Sequence, residues 1–537
     1  MINQIDFEPN GKNRTPEVVR ALLHAQDGTT LRFKKGVYDF WAEGACKGYF
    51  CPGCNRSSDK KVVFPLLRLN DITVDGGGAQ FIFHDRLFPI IAQSCAGVTL
   101  KNFSIDFSFP RCCEAAVTEI DEDGFTLAID GEKYDYGVSP GGNFFIRAGG
   151  ALFSTCERKM FLEQPRGKGV HCFFLLAGKT FAADETLPAG MLRCIAEKRP
   201  GGVYFRRNAD CGFDPGVVPG KIFISYDERR DNDVMFFDTD SRVHIENVTI
   251  YRGAGMGVVG QCCEDMTVKG LTITPHEGES FSTTADGMLL TNFSGRLTVE
   301  NCRIEHTMDD AMSVHGFYSR VERVTAPNKA AVRMQHISQG GINVYFPGDR
   351  VCVTDSDGTR ETGSAVVRDS CIEDDPYLIF LEFEEDIAEL LHPGDYIENP
   401  DRTPETVIRS NVFTDFPNLR LGSAKKTVFE NNIVRNCSRV LVNDLMRYWH
   451  ASGRAHDVEI KGNLFENMYG VGVVMERPEG DVRHENVRVV DNVFRNCECA
   501  LDAERVDGLV FRGNRLENVK TAALVRNCIN TDIEKED

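Results

Sequence analysis

Val243-His244-Ile245-Glu246-Asn247-Val248-Thr249-Ile250 decides the fold of this chain. Apolar and polar residues alternate on both sides of Asn247, which reads as two short half-buried strands joined at a bend. Asparagine suits such a bend, because it tolerates left-handed backbone and its amide can bond its neighbours in a ladder. The phrase follows again at Met266-Val268-Leu271-Ile273 and Leu297-Val299-Asn301-Ile304. It precedes at Leu67-Asn70-Ile72-Val74 and Val98-Leu100-Asn102-Phe103-Ile105. It returns at Val428-Phe429-Asn431-Asn432-Ile433, Val458-Ile460-Asn463-Phe465, Val487-Val489-Asn492-Phe494 and Leu509-Phe511-Asn514-Leu516. A period-2 pattern recurring every 22–32 residues or so predicts an all-β, right-handed parallel β-helix. In that solenoid each coil buries its apolar face against its neighbours. No 3.6-residue pattern is sustained, which argues against helical repeats.

The repeats are interrupted twice. Ala92-Gln93-Ser94-Cys95 through Lys101-Asn102 matches Gly260-Gln261-Cys262-Cys263 through Lys269-Gly270, so coils lie on both sides of a long insertion. Residues 1–60 read as an N-terminal cap with the first coils, including a short amphipathic helix from Pro16 to Gln26 and a strand from Leu31 to Phe40. Coils over 61–111 give way to an inserted β subdomain over 112–235, then resume over 236–321. A second, barrel-like insertion over 322–405 carries the paired phrases Phe346-Pro347-Gly348-Asp349 and His392-Pro393-Gly394-Asp395. Coils over 406–537 complete the chain.

A net charge of −19 over 537 residues argues against nucleic acid or an anionic membrane as partner. No run of about 18 apolar residues offers a membrane span. Nineteen cysteines is an odd count, and Cys302, Cys437 and Cys497 each follow an Asn at one place in the repeat, as small core residues would. The N-terminus lacks a basic start and an apolar stretch. Without a leader, reduced thiols and a cytoplasmic location are expected, while secretion stays open if an export signal has been trimmed. Cys46, Cys51 and Cys54 form C-x4-C-P-G-C, but no second pair or nearby His completes a zinc site, and a loop is the plainer reading.

The chemistry lies in Thr283-Thr284-Ala285-Asp286-Gly287-Met288 and Thr307-Met308-Asp309-Asp310-Ala311-Met312. These segments are one coil apart, so Asp286, Asp309 and Asp310 gather on one patch. Crowding like charges is unfavourable unless protons are shared or a function needs it. Paired carboxylates flanking a glycosidic bond hydrolyse it, one donating a proton and the other activating water or attacking the sugar. A lone Asp at a solenoid turn would cap backbone amides; three close together, followed by His315, point to catalysis. His315 can bond a sugar or orient Asp310. Trp41, Phe317, Tyr318, Tyr448 and Trp449 are candidates for stacking on a sugar face. No cofactor and no metal are expected, since calcium would need six or more oxygen ligands.

The run from Gly255-Met256-Gly257-Val258 through Ser282-Thr283-Thr284-Ala285-Asp286 to Asp309-Asp310-Ala311 and Val314-His315-Gly316-Phe317-Tyr318 resembles glycoside hydrolase family 110. That resemblance implies a β-helix with β-barrel insertions. It implies an exo-acting, inverting α-galactosidase that removes terminal α-1,3-linked galactose, as in blood group B-type or linear α-galactosyl glycans. It gives the catalytic set as Asp286, Asp309 and Asp310, with Asp286 as acid and Asp309 or Asp310 as base; apart from the resemblance, His315, Trp449, Trp41 and Thr284 are the residues expected to bind substrate. The chain departs from the family pattern at Met288-Leu289-Leu290, at Ser313, and at Ala451, where an acidic residue is expected. The partner implied is a galactose-terminated oligosaccharide, with a homodimer allowed. Two other readings compete: a polygalacturonase-like hydrolase, which needs a cationic cluster opposite the patch, and a non-catalytic glycan-binding β-helix.

Overall fold

The computed structural model describes residues 4–53, 58–110, 112–138, 140, 144–148, 151–154, 159–162, 172–177, 191–207, 219–220, 222–226 and 232–534. The right-handed parallel β-helix expected from the repeats is the architecture that forms: nearly every coil-to-coil pairing in the large sheet is parallel and in register. Val243, Ile245, Val248 and Ile250 lie over Val98, Leu100, Phe103 and Ile105, so apolar side chains stack on their counterparts. All of these are buried in one continuous core that runs from Phe7 to Phe511. Phe413, Phe429, Phe465 and Phe494 form part of a stacked aromatic spine in the later coils. Cys302, Cys437 and Cys497 fill the same narrow interior.

The bends explain the recurrent asparagines. Asn102, Asn247 and Asn301 have φ of 60°, 52° and 54°, and Gly270 occupies the equivalent place at 64°. Only residues tolerant of left-handed backbone fit there. A second set faces inward: Asn411, Asn432, Asn463, Asn492 and Asn514 form a ladder in which the side-chain oxygen of each after Asn411 accepts from the backbone and amide N–H of the asparagine before it, and that of Asn411 from Cys302 N–H. Asn463 also donates to the Phe429 carbonyl. Removing its amide would orphan several buried groups, at about 1–3 kcal/mol each. We therefore expect Asn463→Ala to cost at least about 2 kcal/mol in urea unfolding. Asn467→Gly, which removes an amide of the exposed ladder to Asn436 yet suits the φ of 56° there, should cost under about 1 kcal/mol; equal costs would sink the argument.

A helix at Thr15–Leu23 packs Val18 and Leu22 against the first coils, and the strand anticipated after it is divided into Thr30–Phe33 and Val37–Phe40. Two closed barrels protrude from the solenoid. The first is built from seven strands, beginning with Cys112–Ile120 and ending with Ile222–Tyr226; the second from six, Ser319–Ala326 through Tyr396–Glu398. Neither disturbs the stacking. Ser241–Ile250 pairs directly with Ala96–Phe107 across the first barrel, and Met312–Val314 pairs with Leu419–Leu421 across the second. The second of these junctions builds the site.

Candidate active site

One face of the solenoid presents the strands Val258–Gln261, Met288–Thr291, Met312–Phe317 and the end of Val412–Leu421 as successive rungs. The pairing of Met288 with Met312 places Asp286 directly across from Asp310, at an inter-strand spacing of about 4.8 Å. Backbone bonds from Gly257 to the Asp286 carbonyl and from Gly287 to the Asp310 carbonyl hold the turns in line. Period-2 alternation then sends Met288, Leu290, Met312 and Val314 into the core, while Leu289, Ser313 and His315 face outward. The cleft above this face is lined by Asp286, Asp309, Asp310 and His315. Met256, Leu289 and Phe317 add apolar surface.

Asp286 and Asp310 are both buried, and Asp309 is partly exposed. Burial pushes the Asp310 carboxyl up to about 6; the Arg420 guanidinium opposes that rise and the neighbouring Asp309 adds to it. Arg420 Nε donates to Asp310 Oδ2 at 2.5 Å, while Asp310 Oδ1 is a buried acceptor without a hydrogen-bond partner. The carboxylates of Asp310, Asp286 and Asp309 in turn raise the pKa of Arg420. His315 donates from Nδ1 to the Gly316 carbonyl at 2.8 Å. Burial lowers its pKa to about 4. The ring is therefore neutral near pH 7, with Nε2 an acceptor for a hydroxyl group.

Other walls come from far along the chain. A turn of the second barrel, Ile337–Gln339, brings His336, Ser338 and Gln339 to the cleft. His336 caps that turn and lies 5.0 Å from the Trp449 ring, and Gln339 donates to the Trp449 carbonyl. Trp449, Leu445 and Ala451 close the side opposite the aspartates, with Ala451 at the place where the family pattern suggested an acid.

The remaining sequence candidates lie elsewhere. Trp41 stacks on His84 at 4.0 Å, because the register of Phe40 on Phe83 carries it there, in the first coils. Thr284 is buried and lines a small pocket with Glu114 of the first barrel and with Lys133 and Tyr134 of the turn that follows its strand Gly124–Ala128. The bends between Thr283 and Gly287 break the strand alternation that would have aimed it beside Asp286. Tyr318 is buried, donating to Asp444 and accepting from Arg477, and offers no face to a sugar. Arg420, Leu289 and Ser313 join the cleft although no motif singled them out as ligands; Leu289 and Ser313 were visible only as departures from a family pattern.

Among the described residues no group of three or more His, Cys, Asp or Glu side chains is arranged to hold a metal ion. Cys46 and Cys51 are free thiols, and Cys54 lies outside the described residues.

A cleft with three carboxylates at its foot, on one sheet of a parallel β-helix, has the equipment of a glycoside hydrolase. No family model matches the chain. Curated relatives do match. α-1,3-Galactosidase A of Shewanella woodyi is 28% identical over 543 residues, spanning 97% of this chain and 86% of the relative. α-1,3-Galactosidase B of Bacteroides thetaiotaomicron is 25% identical over 544 residues, spanning 96% and 85%. Among solved structures, a polygalacturonase from Erwinia carotovora ssp. carotovora is similar at a TM-score of 0.44 and 10% identity, covering 99% of this chain and 96% of its own. The chain is a glycoside hydrolase related to the α-1,3-galactosidases along nearly its whole length, and the resemblance to glycoside hydrolase family 110 is borne out.

Proposed function

We propose that this enzyme is an exo-acting, inverting α-galactosidase that releases terminal α-1,3-linked galactose from oligosaccharides. The observation that carries the reading is the register of Asp286 on Asp310, beside Asp309, in one cleft. In an inverting enzyme a water must fit between base and sugar, opposite the acid. The unpartnered Oδ1 of Asp310 is a ready acceptor for a proton of that water. A carboxylate titrating at about 6 is mostly ionised at pH 7 and well matched to general-base work there. Asp310, assisted by Asp286, is thus the base, and the more exposed Asp309 is the acid that protonates the leaving oxygen. This division differs from the one the family resemblance suggested, in which Asp286 donates the proton. His315 and Ser313 offer polar contacts to the galactosyl hydroxyls, and Met256 and Leu289 an apolar floor.

The likeness to α-1,3-galactosidases supports galactose as the sugar. Uronate recognition fits less well. Arg420 is the one Lys or Arg among the described lining residues, and it is committed to Asp310. The test is NMR of the first-formed sugar from an α-1,3-linked galactobiose. β-Galactose appearing first, and mutarotating afterwards, is the expected result. α-Galactose appearing first would overturn inversion, and release of galacturonic acid from oligogalacturonates would move the assignment to the polygalacturonase-like reading.

A further inference from the structure

The cleft has a closed end and an open end. Asp286, Asp310, Met256 and Leu289 are all buried at its foot, whereas Trp449 on the opposite wall is 40% exposed. Trp449 is the most exposed of the residues lining the cleft, and the route toward it is the one along which a terminal sugar seated among the carboxylates would continue. Beyond it lie two large side chains that nothing covers: Tyr448 is 74% exposed and Ile337 is 80% exposed. Tyr448 meets Trp449 edge-on at 5.1 Å. Ile337 follows His336, whose ring lies against Trp449. Three of the large apolar side chains exposed among the described residues are thus a lining residue of one cleft, Trp449, and the chain neighbours of lining residues, Tyr448 and Ile337, and an exposed patch of that kind marks a binding surface.

The backbone is bent to present them. Tyr448 and His450, on either side of Trp449, have φ of 55° and 51°, unusual for residues of this bulk. Trp449 N–H donates to the Arg447 carbonyl at 2.7 Å, closing a three-residue turn about Tyr448. The turn is over-determined from outside. The His450 carbonyl accepts from Tyr318 N–H, the Trp449 carbonyl accepts from Gln339, and Ala451 pairs with Phe317. Strain held in place by several contacts at the edge of a cleft points to use there.

We propose that Ile337, Tyr448 and Trp449 form the leaving-group subsite, on which the apolar face of the sugar attached to the departing galactose stacks. The inference rests on the glycosidase reading. A pyranose is the occupant favoured, because a rim of two aromatic rings beside polar Ser338, Gln339 and His336 suits a ring with one apolar face and several hydroxyls. The substrate class is then a glycan, with no purely alkyl or lipid aglycone.

The experiment compares α-galactosyl fluoride, which has no second sugar, with α-1,3-linked galactobiose and with octyl α-galactoside. Full-length wild type, Tyr448→Gly, Ile337→Ser and the double variant are assayed. Tyr448→Gly removes the ring while easing the left-handed backbone, so folding is retained, and thermal unfolding confirms it. The expected result is a fall of about tenfold in the galactobiose-to-fluoride ratio of kcat/KM in the double variant, expressed mainly in KM. An unaltered ratio would overturn the subsite. A wild-type preference for octyl galactoside over galactobiose would overturn the sugar as occupant. If wild type cleaves none of the three, the galactosidase reading itself fails, and the subsite with it.

Discussion

Asp310→Asn is expected to lower turnover of α-1,3-linked galactobiose by about 10²–10⁴-fold, the usual worth of a positioned general base. The substitution is nearly isosteric. It retains an oxygen for Arg420 to bond, and Asp286 and Asp309 still face that guanidinium, so the fold should be kept although losing one charge of a buried pair lowers stability. Loss of turnover in a protein that still unfolds cooperatively is the first readout. Azide provides the second. It attacks a sugar without needing a base, so it should restore Asp310→Asn and yield β-galactosyl azide, retaining inverted stereochemistry. Asp309→Asn should behave in the complementary way: a large loss on galactobiose, where the departing oxygen needs a proton, and a much smaller loss on α-galactosyl fluoride, where fluoride departs unaided. Azide rescue of Asp309→Asn with none of Asp310→Asn would exchange the two roles, and full turnover in both variants would remove the carboxylates from the chemistry.

That pair of carboxylates could be read from sequence because both stand in adjacent, uninterrupted coils. A solenoid converts spacing along the chain into stacking, and Asp286 to Asp310 is one coil. The fold was readable for a related reason: the bends need left-handed backbone, and asparagine supplies it at Asn102, Asn247, Asn301 and Asn431. The rest of the cleft escapes such reading. Arg420 bonds a residue 110 positions earlier, with a whole barrel between them, and nothing in the local sequence records that the coils close up around it. His336, Ser338 and Gln339 belong to the barrel itself, whose docking onto the solenoid is tertiary. Tyr448 and His450 violate local backbone preference, so no pattern forecasts the turn that lifts Trp449 to the rim. Trp41 and Thr284 show the converse. Composition made them attractive, but strand register and a run of bends carry them elsewhere.

Arg420→Met should move the acidic limb of the pH profile upward. In the intact enzyme Asp310 works as a base only when ionised, so kcat/KM falls as pH drops through about 6. Several influences set that value, among them hydrogen bonds from Arg420 and Asn418 that lower it. Burial raises it, the Arg420 cation holds it down, and Asp309 pushes it up again. Methionine keeps most of the side-chain volume and removes only the opposing cation. With burial and like charge then unbalanced, the carboxyl titrates higher, by about 1–3 units on the usual worth of a close opposite charge. At pH 7 a rise of one unit would leave about half of Asp310 protonated and lower activity about twofold, and a rise of two units would lower it about tenfold. Much of that loss should return at pH 8–9, where the carboxyl ionises even without Arg420. Arg420→Lys should lie between the two, because it keeps the charge but cannot reproduce the planar Nε–H donor. A profile displaced along the pH axis is the signature of a residue that acts through Asp310. An Arg420→Met enzyme equally impaired at every pH would make the guanidinium a packing or sugar-binding group instead, and the balance of burial against charge would then not govern the base.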